Sequence, residues 1–241
     1  MSTNQRVALV TGANKGIGLE IARQLAQAGV IVFIGARHPV LGSAAVEDLA
    51  TQGLSATFVL LDLDDHVSAK AAADLIRAHH GRLDILVNNA GIFDTTDAPP
   101  STASLDAVRR TMETNFIGTL AVTQAMLPLL RAAPSARIVN VSSSLGSLVL
   151  NGDPASTYYS AQFVGYNASK AALNMLTVQL HEELRGTSIA INSVSPGFVK
   201  TDLNGMQGTM TVEDGARLPV RYALHDEGSG RFVAPDGETP W

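Results

Sequence analysis

The chain has 241 residues, 46% apolar and 16% charged, which allows one large domain with a buried core and excludes disorder as its main state. Acidic residues (22) outnumber basic ones (17), and the net charge of −5 argues against a nucleic-acid or anionic-membrane binder. Without cysteine the chain can form no disulfide or thiolate metal site, and with no long apolar run and no signal-like start at Met1–Arg6 a cytoplasmic globular protein without membrane span or export signal is expected.

The predicted elements alternate along the chain. A first strand, Val7–Val10, is followed by a glycine-rich turn and a helix over Ile17–Ala28. In that helix Ile17, Ile21, Leu25 and Ala28 recur at helical spacing, and Gly29 supplies the stop. Next come strand Val30–Gly35, helix Val46–Gln52, strand Ala56–Leu61, helix Val67–His79 and strand Ile85–Val87. A loop over Asp94–Ser104 carries Pro99 and Pro100 and leads to a long helix, Leu105–Leu130. Strand Arg137–Val141, a loop over Leu148–Val164, helix Ala168–Arg185 and strand Ile189–Val194 follow. A third loop, Asn204–Thr211, is rich in Gly and Met, and the tail Gly228–Trp241 holds a last strand, Arg231–Val233. The strands are short and apolar throughout, as in strands buried on both faces. This alternation predicts one α/β domain spanning residues 1–241, a doubly wound parallel sheet of Rossmann type with helices on both faces. The three loops fall on the side of the sheet where ligands bind in such folds.

The first turn reads Thr11-Gly12-Ala13-Asn14-Lys15-Gly16-Ile17-Gly18. It lies between a strand and an amphipathic helix, the context in which glycines let a phosphate approach backbone N–H groups at a helix N-terminus. The second strand ends Gly35-Ala36-Arg37, with no Asp or Glu to hold a ribose 2′-hydroxyl. Arg37, with Lys15 nearby, suits a 2′-phosphate, so NADP is expected in preference to NAD. Only four lysines occur, Lys15, Lys70, Lys170 and Lys200, and two of them fall in motifs.

Tyr166 and Lys170 stand at i and i+4 and share one face if helical. A free phenol titrates near ~10, and a neighbouring cation lowers that value. Such a phenol can pass a proton to or from a carbonyl oxygen. Ser142-Ser143-Ser144 closes the strand Arg137–Val141, where a serine hydroxyl can steady charge on the same oxygen. Tyr158 and Tyr159 are rival phenols without a Lys four residues on. The histidines are scattered, and no metal site is expected.

Thr11–Gly18, Asn88-Asn89-Ala90-Gly91, Asn115, the serine-ended strand, Tyr166 with Lys170, and Pro196-Gly197 occur in one order. Together they resemble the short-chain dehydrogenase/reductase family over nearly the whole chain. Asn14-Lys15-Gly16-Ile17-Gly18 and the closing Gly230-Arg231-Phe232-Val233 are similar to its NADPH-dependent carbonyl reductases. The resemblance implies a Tyr166 acid/base, and a Lys170 that binds the nicotinamide ribose and lowers the phenol pKa. It implies that Ser143, three residues before Gly146, orients the substrate carbonyl, and that Asn115 holds a water beside Lys170. Gly12, Asn14, Lys15, Gly16, Ile17, Gly18 and Arg37 would hold the phosphates. Asp62 and Leu63 would contact the adenine, Asn89, Ala90 and Gly91 would line the cofactor, and Pro196, Val199 and Thr201 would hold its nicotinamide end. The implied activity is NADPH-dependent reduction of a ketone or aldehyde, or the reverse oxidation, and the apolar, sparsely charged loops point to a neutral, apolar substrate. Alternatives are an NADP-binding redox sensor without turnover, a C=C reductase and an epimerase. Tyr166 lies 23 positions after Ser143, a longer interval than in compact members of the family. The extra residues, Leu148–Val164, place the usual family oligomer in doubt.

Overall fold

A computed structural model describes residues 5–241. Its strands are β1 (Val7–Thr11), β2 (Ile31–Ala36), β3 (Ala56–Leu60), β4 (Ile85–Asn88), β5 (Ala136–Val141), β6 (Ile189–Val194), β7 (Arg231–Ala234) and β8 (Gly237–Glu238). They form one sheet in the order β3-β2-β1-β4-β5-β6-β7-β8. Every pairing is parallel except β7 with β8. Strand order reverses beside β1, between β2 and β4, which opens a crevice at the C-terminal ends of β1 and β4.

The helices are α1 (Gly16–Gln27), α2 (Pro39–Thr51), α3 (His66–His80), α4 (Leu105–Met112), α5 (Thr119–Arg131), α6 (Leu148–Gly152), α7 (Val164–Glu183) and α8 (Val212–Leu224). The side chains of β1 alternate between two cores. Val7 and Leu9 face α3, α5 and α7 through Ile76, Met126 and Leu180. Ala8 and Val10 face α1, α2 and α8 through Ile21, Leu49 and Val220. Burial on both faces explains the uninterrupted apolar strands, and each fully buried Leu or Ile contributes roughly 1.5–3 kcal/mol.

Four differences from the sequence expectation have physical causes. The helix expected over Leu105–Leu130 is three pieces, because Glu113–Gly118 winds as a π-helix between α4 and α5. Gly118 lies there against the Leu63 backbone, where an added Cβ would come within 2.3 Å of the Leu63 carbonyl oxygen. The helix expected from Ala168 starts at Val164, which brings Tyr166 into its first turn. Helix α2 starts at Pro39, a favoured first-turn residue, well before the expected Val46. Helix α8 has no counterpart in the sequence reading. Gly215 and Pro219 break its pattern, yet Thr211 caps it by accepting from the Asp214 N–H at 3.1 Å. Gly215 is required there, since a Cβ would meet Val199 at 2.4 Å.

A buried polar row seats α7 on the sheet. Asn88 Nδ2 donates to Asn140 Oδ1 (2.8 Å) and to Thr123 Oγ1 (3.0 Å). Asn140 Nδ2 donates to Thr177 Oγ1 (2.8 Å), which lies 2.8 Å from Ser193 Oγ. The row crosses β4, β5 and β6 and ties them to α5 and α7. Among the described residues no helix is long and apolar enough to cross a membrane.

Candidate active site

The glycine-rich turn is held open by its neighbours. Gly12 and Gly16 take positive φ of 62° and 57°. A Cβ on Gly12 would sit 2.8 Å from Ala90 Cα, and one on Gly18 would sit 2.4 Å from Asn89 Nδ2. Both positions therefore need glycine. Asn89 Nδ2 donates to Thr11 O at 2.9 Å, and Thr11 Oγ1 accepts from the Asn89 and Ala90 N–H groups at 3.0 and 2.9 Å. The segment Asn89-Ala90-Gly91 is thus bound to the turn. Ala13 N–H donates to Gly35 O at 3.1 Å, which ties the turn to the end of β2, two residues before exposed Arg37.

Helix α1 starts at Gly16 without a side-chain cap. The first N–H groups of such a helix have no partner within it and carry partial positive charge. A cradle of glycines, free N–H groups and Arg37 fits a dinucleotide phosphate. Lys15 does not point into free space. Its Nζ lies 2.7 Å from Asp202 Oδ2, beyond Thr201, and both side chains are exposed. The Lys15 ammonium holds the Asp202 carboxyl below its usual range, chiefly through this hydrogen bond. Gly16 faces Thr201 at ordinary contact distance, so the segment after β6 lies over the turn. Pro196 and Val199 are buried in that segment. Asp62 and Leu63 follow β3, where Ser68 Oγ donates to Asp62 O and accepts the Asp62 N–H, both at 2.9 Å.

The three serines at the end of β5 have separate fates. Ser142 Oγ donates to Asn174 Oδ1 at 2.7 Å, and Ser144 Oγ lies 3.2 Å from Ser195 Oγ. Both are buried and committed to the protein. Ser143 is the one turned toward Tyr166, and it starts a short 3-10 turn by accepting from the Leu145 N–H at 3.2 Å. Gly146 closes that turn against α7. A Cβ there would come within 2.7 Å of the Lys170 backbone.

Tyr166 and Lys170 lie one turn apart on the buried face of α7, and Lys170 Nζ is 5.7 Å from the Tyr166 ring centre. Lys170 Nζ donates to Val141 O at 3.0 Å. Burial lowers its pKa to about 8. Burial raises the Tyr166 phenol to about 12, with the Ser143 side chain pulling it down. The expected lowering of the phenol by Lys170 is therefore not found. In this state desolvation wins, and the phenol stays protonated at neutral pH.

Asn115 sits in the π-helical segment. Its Oδ1 accepts the Ile92 N–H at 2.7 Å, and its Nδ2 donates to Ile92 O (2.9 Å) and Ser169 Oγ (3.0 Å). Three of the four hydrogen-bonding positions of this side chain are taken by protein groups, which tie the π-helical segment to Ile92 and to α7. Gly91 fits between Asn115 and Lys170, whose Oδ1 and Nζ would lie 3.1 and 3.6 Å from a Cβ there.

Phe93 was absent from the sequence reading. Its ring meets the Tyr166 ring edge-on at 5.5 Å and the Phe163 ring at 5.0 Å. The signal available was its position, two residues after Gly91. The residues before Tyr166 are fastened beside it, since Asn167 Nδ2 donates to Asn151 Oδ1 (2.9 Å) and Ala161 O (2.8 Å). Among the described residues no cluster of His, Asp or Glu could hold a metal ion.

Comparison with known proteins shows the family and the fold. The family model described as short chain dehydrogenase matches residues 6–211. Carbonyl reductase (NADPH) 1 of Homo sapiens is 36% identical over 278 aligned positions, covering 100% of this chain and 95% of that protein. A crystal structure of NADPH-bound carbonyl reductase from chicken fatty liver superposes with TM-score 0.85 at 33% identity, covering 98% of this chain and 99% of that one. Salutaridine reductase from Papaver somniferum superposes with TM-score 0.82 at 32% identity, covering 95% and 99%.

Proposed function

The chain belongs to the short chain dehydrogenase family, and we propose that it reduces a neutral, apolar ketone or aldehyde with NADPH, Tyr166 acting as the proton donor. The observation that carries this reading is the convergence of Ser143, Tyr166 and Lys170 where β5 meets α7. A bound nicotinamide supplies the hydride. The chain's own residues do the rest. Ser143, the serine of its trio whose side-chain partner is Tyr166 itself, donates to the substrate oxygen and orients it. Tyr166 gives its proton to that oxygen as negative charge develops.

A phenol held near 12 is protonated at neutral pH, as a proton donor to a carbonyl oxygen must be. Lys170, at about 8, is mostly charged at neutral pH, lies beside the Tyr166 ring, and would hold the ribose hydroxyls of a bound nicotinamide cofactor. Asn115 fixes Ile92, and through it the Gly91 segment beside Lys170. Phe93 and Phe163 give the reacting centre an apolar wall, which suits a neutral substrate. Arg37 and Lys15 supply the positive charge for a 2′-phosphate.

NADPH consumption with a panel of ketones and aldehydes tests the reading. Tyr166→Phe should lower turnover by about 10²–10⁴-fold while NADPH still binds. Near-normal turnover in that variant would overturn the mechanism. Binding of NADPH without consumption across the panel would point instead to a sensor.

A further inference from the structure

Helix α7 carries Tyr166 in its first turn, yet it has no cap of its own. Its N-cap position is Phe163, which makes no side-chain capping bond. The first N–H groups of a helix lack partners within it and need them elsewhere when buried. Here they are satisfied from a segment nearly 70 positions earlier. Val164 N–H donates to Ala98 O at 3.3 Å. Gly165 N–H donates to Asp97 Oδ1 at 3.0 Å, and Tyr166 N–H donates to Asp97 Oδ2 at 2.8 Å. Asp97 Oδ1 also accepts the Ala98 N–H at 2.9 Å. The internal ladder of α7 takes over at Asn167, whose N–H reaches Phe163 O.

Asp97 is 8% exposed and takes part in no ion pair among the described residues. Its charge is met by N–H donors and by the positive end of the helix dipole. The fit is close. A Cβ on Gly165 would come within 3.1 Å of Val108 Cα and 3.2 Å of Asp97 Oδ2. The same stretch holds the tyrosine from its other end, where Phe93 meets the Tyr166 ring. The stretch is itself anchored, since Asp94 Oδ2 accepts from Arg110 Nη2 at 2.7 Å and Asp94 Oδ1 from Thr96 Oγ1 at 2.6 Å.

We propose that Asp97 is a positioning residue for proton transfer, which sets the height and rotation of Tyr166 against Ser143 by capping α7 from the loop after β4. The proposal rests on the assignment of Tyr166 as proton donor. It makes the loop 94–104 a scaffold of the catalytic helix rather than a lid over substrate. The two oxygens of a carboxylate serve two successive N–H groups. An amide in the same place keeps one acceptor and turns an NH₂ group toward the other donor. A displacement of ~1 Å at a reacting group can cost about a hundredfold in rate.

The test uses the full chain with Asp97→Asn, Asp97→Ala and Tyr166→Phe, each checked by urea unfolding. Amide hydrogen exchange is read at Gly165 and Tyr166, and kcat, KM and NADPH affinity are measured under conditions where each variant is folded. The expected result is faster exchange at those two amides, with β5 amides unchanged. With it should come a kcat loss of about tenfold for Asp97→Asn and more for Asp97→Ala. NADPH affinity should stay within about twofold, and KM should change less than kcat. A folded Asp97→Ala variant with unchanged kcat, or with unchanged exchange at Gly165 and Tyr166, overturns the proposal. So does a kcat loss that comes only with a matching loss of NADPH binding. Failure of the tyrosine assignment has a separate signature, since it would show as full turnover in Tyr166→Phe whatever the Asp97 variants do.

Discussion

Lys15 Nζ and Asp202 Oδ2 lie 2.7 Å apart, and this pair bridges the glycine-rich turn and the segment that follows β6. Both side chains are more than 60% exposed, so the pair adds little to folding stability. Its importance is in competition, since a 2′-phosphate and Asp202 would both seek the same ammonium. Asp202→Asn should tighten NADPH binding by about threefold and leave NADH unchanged. The gain should fade as salt is raised. Fluorescence titrations at two ionic strengths check this, and an unchanged NADPH affinity at low salt would remove Asp202 from the competition.

Arg37 carries the second half of the same expectation. It is exposed just past β2, close to where the turn is tied to Gly35. Arg37→Asp should lower the NADPH/NADH affinity ratio by about tenfold or more, ~1.4 kcal/mol. The same titration with both nucleotides decides the point.

The serines at the end of β5 should separate stability from chemistry. Ser142→Ala leaves the buried Asn174 Oδ1 without its donor and should cost about 1–3 kcal/mol in urea unfolding, with kcat largely kept. Ser143→Ala should do the reverse, with little change in stability and a large loss of kcat. Equal kinetic losses in the two variants would contradict the assignment of Ser143.

Lys170 predicts a pH dependence of stability. Its folded pKa of about 8 lies below the ordinary lysine value of 10.5. Between these values the unfolded chain binds more protons, so stability rises with pH. Tyr166 has the opposite sign. Its raised value, about 12, contributes stability that is complete below pH 10 and lost as pH climbs from 10 to 12. From pH 8 to 10 the lysine acts alone, with a slope of up to ~1.4 kcal/mol per pH unit. Lys170→Met should flatten that rise relative to wild type in denaturation curves at successive pH values.

The sheet, the glycine-rich turn and the meeting of Tyr166 with Lys170 were legible because they rest on local patterns. Short apolar strands, the spaced glycines and the four-residue step from Tyr166 to Lys170 are all written within a few positions. What escaped depends on partners distant in the chain. The start of α7 was placed too late because its cap is Asp97, not a neighbour of Phe163. The polar row from Asn88 to Ser193 joins residues that no spacing connects. The π-helical break at Asn115 goes with the packing of Gly118 on Leu63, a residue far away in the chain, and α8 hid behind Gly215 and Pro219. The sign of the phenol shift was missed for a different reason. Sequence shows the neighbouring cation but not the burial that sets the direction of the shift.

The sheet stops at β8, two residues long, both exposed and running against β7. A sheet edge is a row of unpaired N–H and C=O groups on which another chain can add a strand. A two-residue edge gives a newcomer almost nothing to grip, so sheet growth by a second molecule is blocked on that side. The opposite border is β3, with five residues and Leu60 half exposed. Edge-to-edge aggregation of this protein, where stress provokes it, should therefore begin at β3, and a lysine at position 60 is the substitution to slow it.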